Sequence, residues 1–142
     1  MSVPNVDVNY LAVLVAAIIN MVIGSIWYSP SMGFGKSWMK YSGIKMGKMS
    51  ASKQKGMAGT YILALVGALV MSFVLANFVV YLTAATFSQG VLVGLIVWIG
   101  FILTTMLGTL LWEGKSFKLY LINTLYYLVV LAINGGILAV WH

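Results

Sequence analysis

Few side chains in this chain have chemistry to offer, and where they sit decides what they can do. The carboxylates are Asp7 and Glu113, the histidine is His142, and there is no cysteine. Glu113 follows Trp112 at the end of an apolar run, with Lys115 and Lys118 close by. A proton-coupled exporter needs a carboxylate deep in the bilayer, able to trade a proton for a cation. Glu113 is placed instead at a helix end, where Lys36 or Lys115 is its natural partner, in an exposed pair worth about 0–1 kcal/mol. No His/Cys/Asp/Glu group has metal-ligand spacing, so no metal or other cofactor is expected. A nucleophile–base pair would have to use lysine or tyrosine, and no spacing proposes one, so the chain reads as a non-enzyme.

Two Gly-Lys-Ser segments, Gly35-Lys36-Ser37 and Gly114-Lys115-Ser116, invite a phosphate-loop reading. That loop needs a further glycine five positions earlier, between a strand and a helix. Those positions hold Pro30 and Thr109, and neither follows a strand.

The remaining polar candidates lie within or near apolar runs: Asn20, Asn77, Asn123 and Asn134, with Thr104 and Thr105. An unpaired amide in hydrocarbon costs several kcal/mol, so each must find a partner. Two readings stand. The amides join helices to one another, or Asn20, Asn77, Thr104, Thr105 and Asn123 line a polar path. Asn20 has the strongest claim to more than architecture, because small residues surround it at four-residue spacing: Ala12, Ala16, Asn20 and Gly24. The same spacing recurs in Thr60, Ala64, Ala68, Ser72 and Ala76, in Gly90 and Gly94, and in Gly100, Thr104 and Gly108. Residues four apart share a helix face. In lipid, where apolarity cannot drive helices together, small residues permit the close backbone approach that does. Such faces pack helices within one bundle or between protomers.

The elements that carry these residues follow from composition. Hydrophobic residues make up 62% of the 142 and charged residues 7%, against roughly 25% charged in an average soluble domain. A chain this short cannot hide so much apolar surface in a water-soluble core. The hydropathy pattern predicts an all-α integral membrane fold with four antiparallel transmembrane helices, over about 8–28, 58–82, 90–112 and 117–140. The first, about 21 residues and roughly 31 Å long, is enough to cross the hydrocarbon. With no basic residue before it, it is expected to be retained rather than cleaved as a signal. Asp7 or Asn9 can cap its start. Trp27 and Tyr28 fall where an aromatic belt sits, and Pro30 ends the helix by disfavouring helical geometry at Ser29. Short later connections make sequential helices neighbours.

Residues 31–57 form a lysine-rich interfacial loop within a single domain. Lys36, Lys40, Lys45, Lys48, Lys53 and Lys55 alternate with Phe34, Trp38 and several methionines. That mixture suits a segment lying along the headgroups, with anionic lipid as partner. Ser50 is a candidate N-cap for the next helix. All eight lysines lie at the first and third connections, and the net charge of +6 contains no arginine. Lysine excess marks the cytoplasmic side, so both termini are expected outside the cytoplasmic membrane, and no nucleic acid is expected as partner.

Two further patterns bear on the fold. Gly24-Ser25-Ile26-Trp27 precedes the first Gly-Lys-Ser, and Gly108-Thr109-Leu110-Leu111 precedes the second. This reads either as two repeated helical hairpins, of the kind found in transporters, or as residues that are simply common at cytoplasmic helix ends. Second, Asn20, Gly24, Trp27-Tyr28-Ser29-Pro30, Phe34-Gly35-Lys36 and Trp38 resemble the opening of a bacterial membrane family called domain of unknown function 1761. Glu113 to Asn123 and the pair Tyr126-Tyr127 resemble its final hairpin. The resemblance implies a small four-helix membrane protein and supplies no activity, cofactor or site. Three functions remain open. They are a non-enzymatic bundle that self-associates or serves as an accessory subunit of a larger complex, a small transporter or channel, and, more remotely, an enzyme acting on lipid headgroups at the lysine loop.

Overall fold

The computed structural model describes residues 7–43, the backbone of 51–57, and residues 58–141 in full. Lys45, Lys48, Ser50, His142 and the side chains of Lys53 and Lys55 lie outside the described residues. The helices are α1 (Tyr10–Trp27), α2 (Gly35–Ser42), α3 (Ala51–Tyr81), α4 (Phe87–Val97), a π-helical segment (Trp98–Leu103), α5 (Leu107–Leu111) and α6 (Phe117–Val140). Among the described residues, four stretches are long and apolar enough to cross a membrane: Tyr10–Trp27, Ala58–Tyr81, Phe87–Leu111 and Phe117–Val140.

Side-chain caps set the starts of α1, α4 and α6. Asn9 Oδ1 accepts from Leu11 N–H at 3.0 Å and Ala12 N–H at 3.2 Å, supplying donors at the start of α1 with the acceptor they lack. Thr86 and Gln89 form a capping box, so α4 begins at Phe87 rather than at Gly90. Ser116 caps α6 through Lys118 N–H. The long polar loop is not one regular helix, and the next helix begins at the residue after Ser50, the position proposed to cap it. Gly35–Ser42 forms α2, ended by Gly43 at φ +76°, and α3 starts at Ala51, two turns before its apolar stretch.

The third span also departs from one continuous helix. After the π segment, Leu107, Gly108 and Thr109 donate to carbonyls only three residues back, at 3.1–3.4 Å. The switch from wide to tight turns takes the Leu103 carbonyl out of the helical ladder, and the Tyr120 hydroxyl donates to it at 2.7 Å. A carbonyl left bare at that depth would be costly in lipid.

α6 is the pillar. Half of its apolar window is buried, against 17% for the third span. Its widest seam is with α4, where backbone meets backbone. A Cβ at Gly90 would strike the Gly135 carbonyl, and one at Gly94 the Leu131 carbonyl. Paired numbers rise on one helix as they fall on the other. The α1 seam with α6 does the same, pairing Ala16 with Asn134 and Asn20 with Tyr126. Ala12, Val13, Ala16, Leu75, Ala76 and Val79 fill the core between α1 and α3, and Val93, Leu131 and Leu138 continue it towards α4.

Candidate functional site, an aromatic and amide cluster at the lysine-bearing end

The cluster begins in a turn. After Trp27 the chain folds back on itself: Phe34 N–H donates to the Trp27 carbonyl at 2.6 Å, and Gly33 and Gly35 donate to the Ser29 carbonyl at 3.0 and 3.2 Å. Glycine is required at both positions. A Cβ at Gly33 would enter the Ile26 and Trp27 carbonyls, and one at Gly35 the Tyr28 carbonyl. The turn tilts Phe34 against Trp27 with centroids 4.7 Å apart and sets Trp38 edge-on to Tyr28 at 5.9 Å. The first Gly-Lys-Ser thus opens the short helix α2. The second is a left-handed turn with Gly114 at φ +64°, leading into a Ser116 cap.

α6 supplies the other half. Trp27 Nε1 donates to the Ile122 carbonyl at 3.0 Å, and the Tyr28 hydroxyl donates to Asn123 Oδ1 at 2.7 Å. Tyr126 packs edge-on to Tyr28 at 5.4 Å and tilts against Tyr127 at 4.9 Å. Its hydroxyl donates to Asn20 Oδ1 at 2.5 Å and approaches the Asn20 carbonyl at 3.1 Å. Gly24 leaves room for that tyrosine, since a Cβ there would lie 3.0 Å from its hydroxyl oxygen. Trp27 and Tyr28 stand at the helix end the sequence assigns them, but their polar tips turn into the bundle.

Of the proposed polar residues, the cluster brings together Asn20 and Asn123, each through a tyrosine. Asn77 donates to its own helix at Phe73 (2.8 Å), Thr104 back-bonds to the Gly100 carbonyl (2.6 Å), and Thr104 and Thr105 are exposed. Among the small residues, Ala16, Ala68, Ser72, Gly90 and Gly94 are buried. Ala64 is exposed, and a Cβ on Gly108 would meet only Trp112 of its own turn. Pro30, Lys36 and Glu113 are exposed, and Trp38 is half-buried.

Several contributors had no clear sequence signal. Trp98 Nε1 donates to the Thr124 carbonyl at 2.7 Å, fixing the π segment to α6. Gly136 faces the Phe87 ring and Gly135 faces Gly90. Asn134 and Ser72, by contrast, were both singled out by the sequence: Asn134 donates to the Ala16 carbonyl at 3.0 Å, while its Oδ1 and the Ser72 hydroxyl are buried without a partner.

Two grooves flank the cluster. One, about 480 Å³, lies between α1 and α3 with Tyr126, Tyr28 and Thr60 on its walls. The other, about 320 Å³, lies between α2 and α6. At its mouth the Lys40 and Lys118 ammonium groups each sit 5.5 Å from the Tyr41 ring centroid. Hydrogen bonding from Lys118, helped by both positive charges, holds the Tyr41 hydroxyl below its usual range. The arrangement is suited to clamping helices and presenting a basic, aromatic-lined surface.

Residues 11–139 match the model of a family described as Protein of unknown function (DUF1761), and the chain belongs to that family. No curated protein and no solved structure matches it.

Proposed function

We propose, with that family membership as premise, that this protein is a non-enzymatic helix bundle of the cytoplasmic membrane that self-associates or serves as an accessory subunit of a larger membrane complex. The observation that carries the reading is where the polar side chains go. Tyr126, Tyr28, Trp27, Trp98 and Tyr120 all make hydrogen bonds from one helical segment to another. Groups held in this way lock helices together in a medium without water. The third span supports association. Gly100 has open space at its Cβ position, and Phe101, Thr104 and Thr105 beside it are exposed, so another helix can approach closely there. The orientation, with both termini outside, draws support from Lys118 meeting Tyr41, which puts both lysine-bearing connections at one end of the bundle.

The test is particle mass in lipid nanodiscs together with Gly100→Leu. The expected result is a multimer, or a retained partner, that Gly100→Leu releases without loss of helix content. A particle that is monomeric and partner-free at every protein concentration sinks the proposal.

A second reading, a small transporter or channel, has one observation in its favour: the buried, unpartnered Ser72 hydroxyl and Asn134 Oδ1. Such groups in a native interior call for an explanation, an unseen water among them. Ser72→Cys and Asn134→Cys distinguish the two. A packed bundle leaves both thiols inert to a small water-soluble thiosulfonate, and a hydrated path makes both react.

A further inference from the structure

We propose that the groove between α2 and α6 binds one anionic phospholipid, with its phosphate at Lys118 and an acyl chain laid down the face of α6 beneath it. This goes beyond the reading above and holds whether the bundle is single or assembled.

The groove is built as an amphiphile is built. Its mouth carries Ser37, Tyr41 and Lys118, and Trp27 and Phe34 form its inner wall. Below Lys118, its side is made by Leu121, Ile122 and Leu125. These four α6 positions are i, i+3, i+4 and i+7, so they line one helix face. From Lys118 to Leu125 that face descends about 10 Å along the axis. Charge therefore stands at one end of a strip that is otherwise hydrocarbon. Among the described residues most of its lining stays open: Phe34 is 47% exposed, Leu121 37% and Leu125 38%, with Ile122 buried at its base.

Charge complementarity selects the headgroup. Lys40 and Lys118 crowd around one tyrosine ring, two like charges in a small space. The chain has Asp7 and Glu113 as its acidic side chains against eight lysines, and Asp7 precedes α1 at the end opposite Trp27. An anion from outside the chain is the natural counter-charge. A phosphodiester with a hydrocarbon tail meets both ends of the groove, whereas a zwitterionic lipid brings its own ammonium group towards the lysines.

The experiment is native mass spectrometry of the purified full-length protein, released from detergent containing equimolar phosphatidylglycerol and phosphatidylcholine with identical acyl chains. The expected result is a single retained phosphatidylglycerol in preference to phosphatidylcholine. Lys118→Gln should lower that retention about fivefold, which corresponds to about 1 kcal/mol per lysine near a membrane surface. Lys115→Gln, exposed and outside the groove, should leave it unchanged. Leu125→Trp fills the groove while keeping every charge, and should displace the retained lipid. Equal retention of the two lipids overturns the proposal, and so does an equal effect of Lys115→Gln and Lys118→Gln, since a diffuse field would then account for binding. Displacement by soluble glycerol phosphate at matching concentration also overturns it, because the headgroup alone would then be the ligand.

Discussion

Tyr126→Phe is the most informative single change in this bundle. It removes one oxygen whose hydrogen bond to Asn20 Oδ1 is 2.5 Å long and ties α6 to α1. Asn20 is 5% exposed, so water cannot replace the lost donor. Nor can the amide re-pair easily, because its nitrogen faces only the Met71 sulfur at 3.8 Å. A hydrogen bond between membrane helices averages about 0.6 kcal/mol and reaches about 1.7. Orphaning a buried acceptor costs about 1–3 kcal/mol. The short, enclosed geometry places this bond near the upper end of the first range, so Tyr126→Phe should destabilise by about 1–2 kcal/mol. In an Asn20→Leu background the same change should cost only about 0.5 kcal/mol, because the hydroxyl then keeps just the 3.1 Å contact with the carbonyl of residue 20. The coupling, about 1 kcal/mol, exceeds the 0.3–0.5 kcal/mol scatter typical of independent sites. Reversible unfolding in mixed micelles with rising dodecyl sulfate, followed by far-ultraviolet circular dichroism for all four proteins, measures it. Strict additivity would show that the bond does not hold α1 to α6, and the reasoning from polar pairing would fail with it.

Other changes separate inward from outward faces. Gly94→Leu forces a side chain into the Leu131 backbone and should cost about 1–3 kcal/mol or more, whereas Gly67→Leu, with open space at its Cβ, should stay within about 0.5 kcal/mol in the same titration. Thr83 holds φ at +57° after α3, a left-handed position that costs a residue with a Cβ about 1–2 kcal/mol. Thr83→Gly should therefore raise stability by about 0.5–1 kcal/mol after glycine's greater entropy loss, and a lower unfolding midpoint would contradict this account of the turn. For orientation, Ser50→Cys should be shielded from an impermeant thiol reagent in intact cells while Ala85→Cys reacts, and the reverse pattern would invert the topology.

The spans were legible because hydropathy is a local sum. A run such as Phe117–Val140 declares itself from its own residues, and its boundary at Ser116 comes from a cap next to it in sequence. The start of α4 was legible in principle too, in the Thr86–Gln89 spacing, although the apolar run alone pointed to Gly90. The break in the third span was not. Thr104 and Thr105 look like polar residues inside a helix, and what makes a break tolerable is Tyr120, which reaches across from α6 to the Leu103 carbonyl.

By itself, then, the sequence determined that four stretches are long and apolar enough to cross a membrane, where those apolar stretches begin and end to within about a turn, which connections carry the lysines, and that small residues recur on shared helix faces. Only the tertiary structure decided which way each helix turns. In a soluble protein the polar face of a helix reveals its rotation. In lipid the outside and the core are both apolar, so that signal vanishes, and a glycine at Gly94 looks the same as one at Gly67 until a neighbouring backbone arrives. Asn20 and Tyr126 lie 106 residues apart, and what joins them is the depth and rotation of α1 and α6, which neither residue encodes alone.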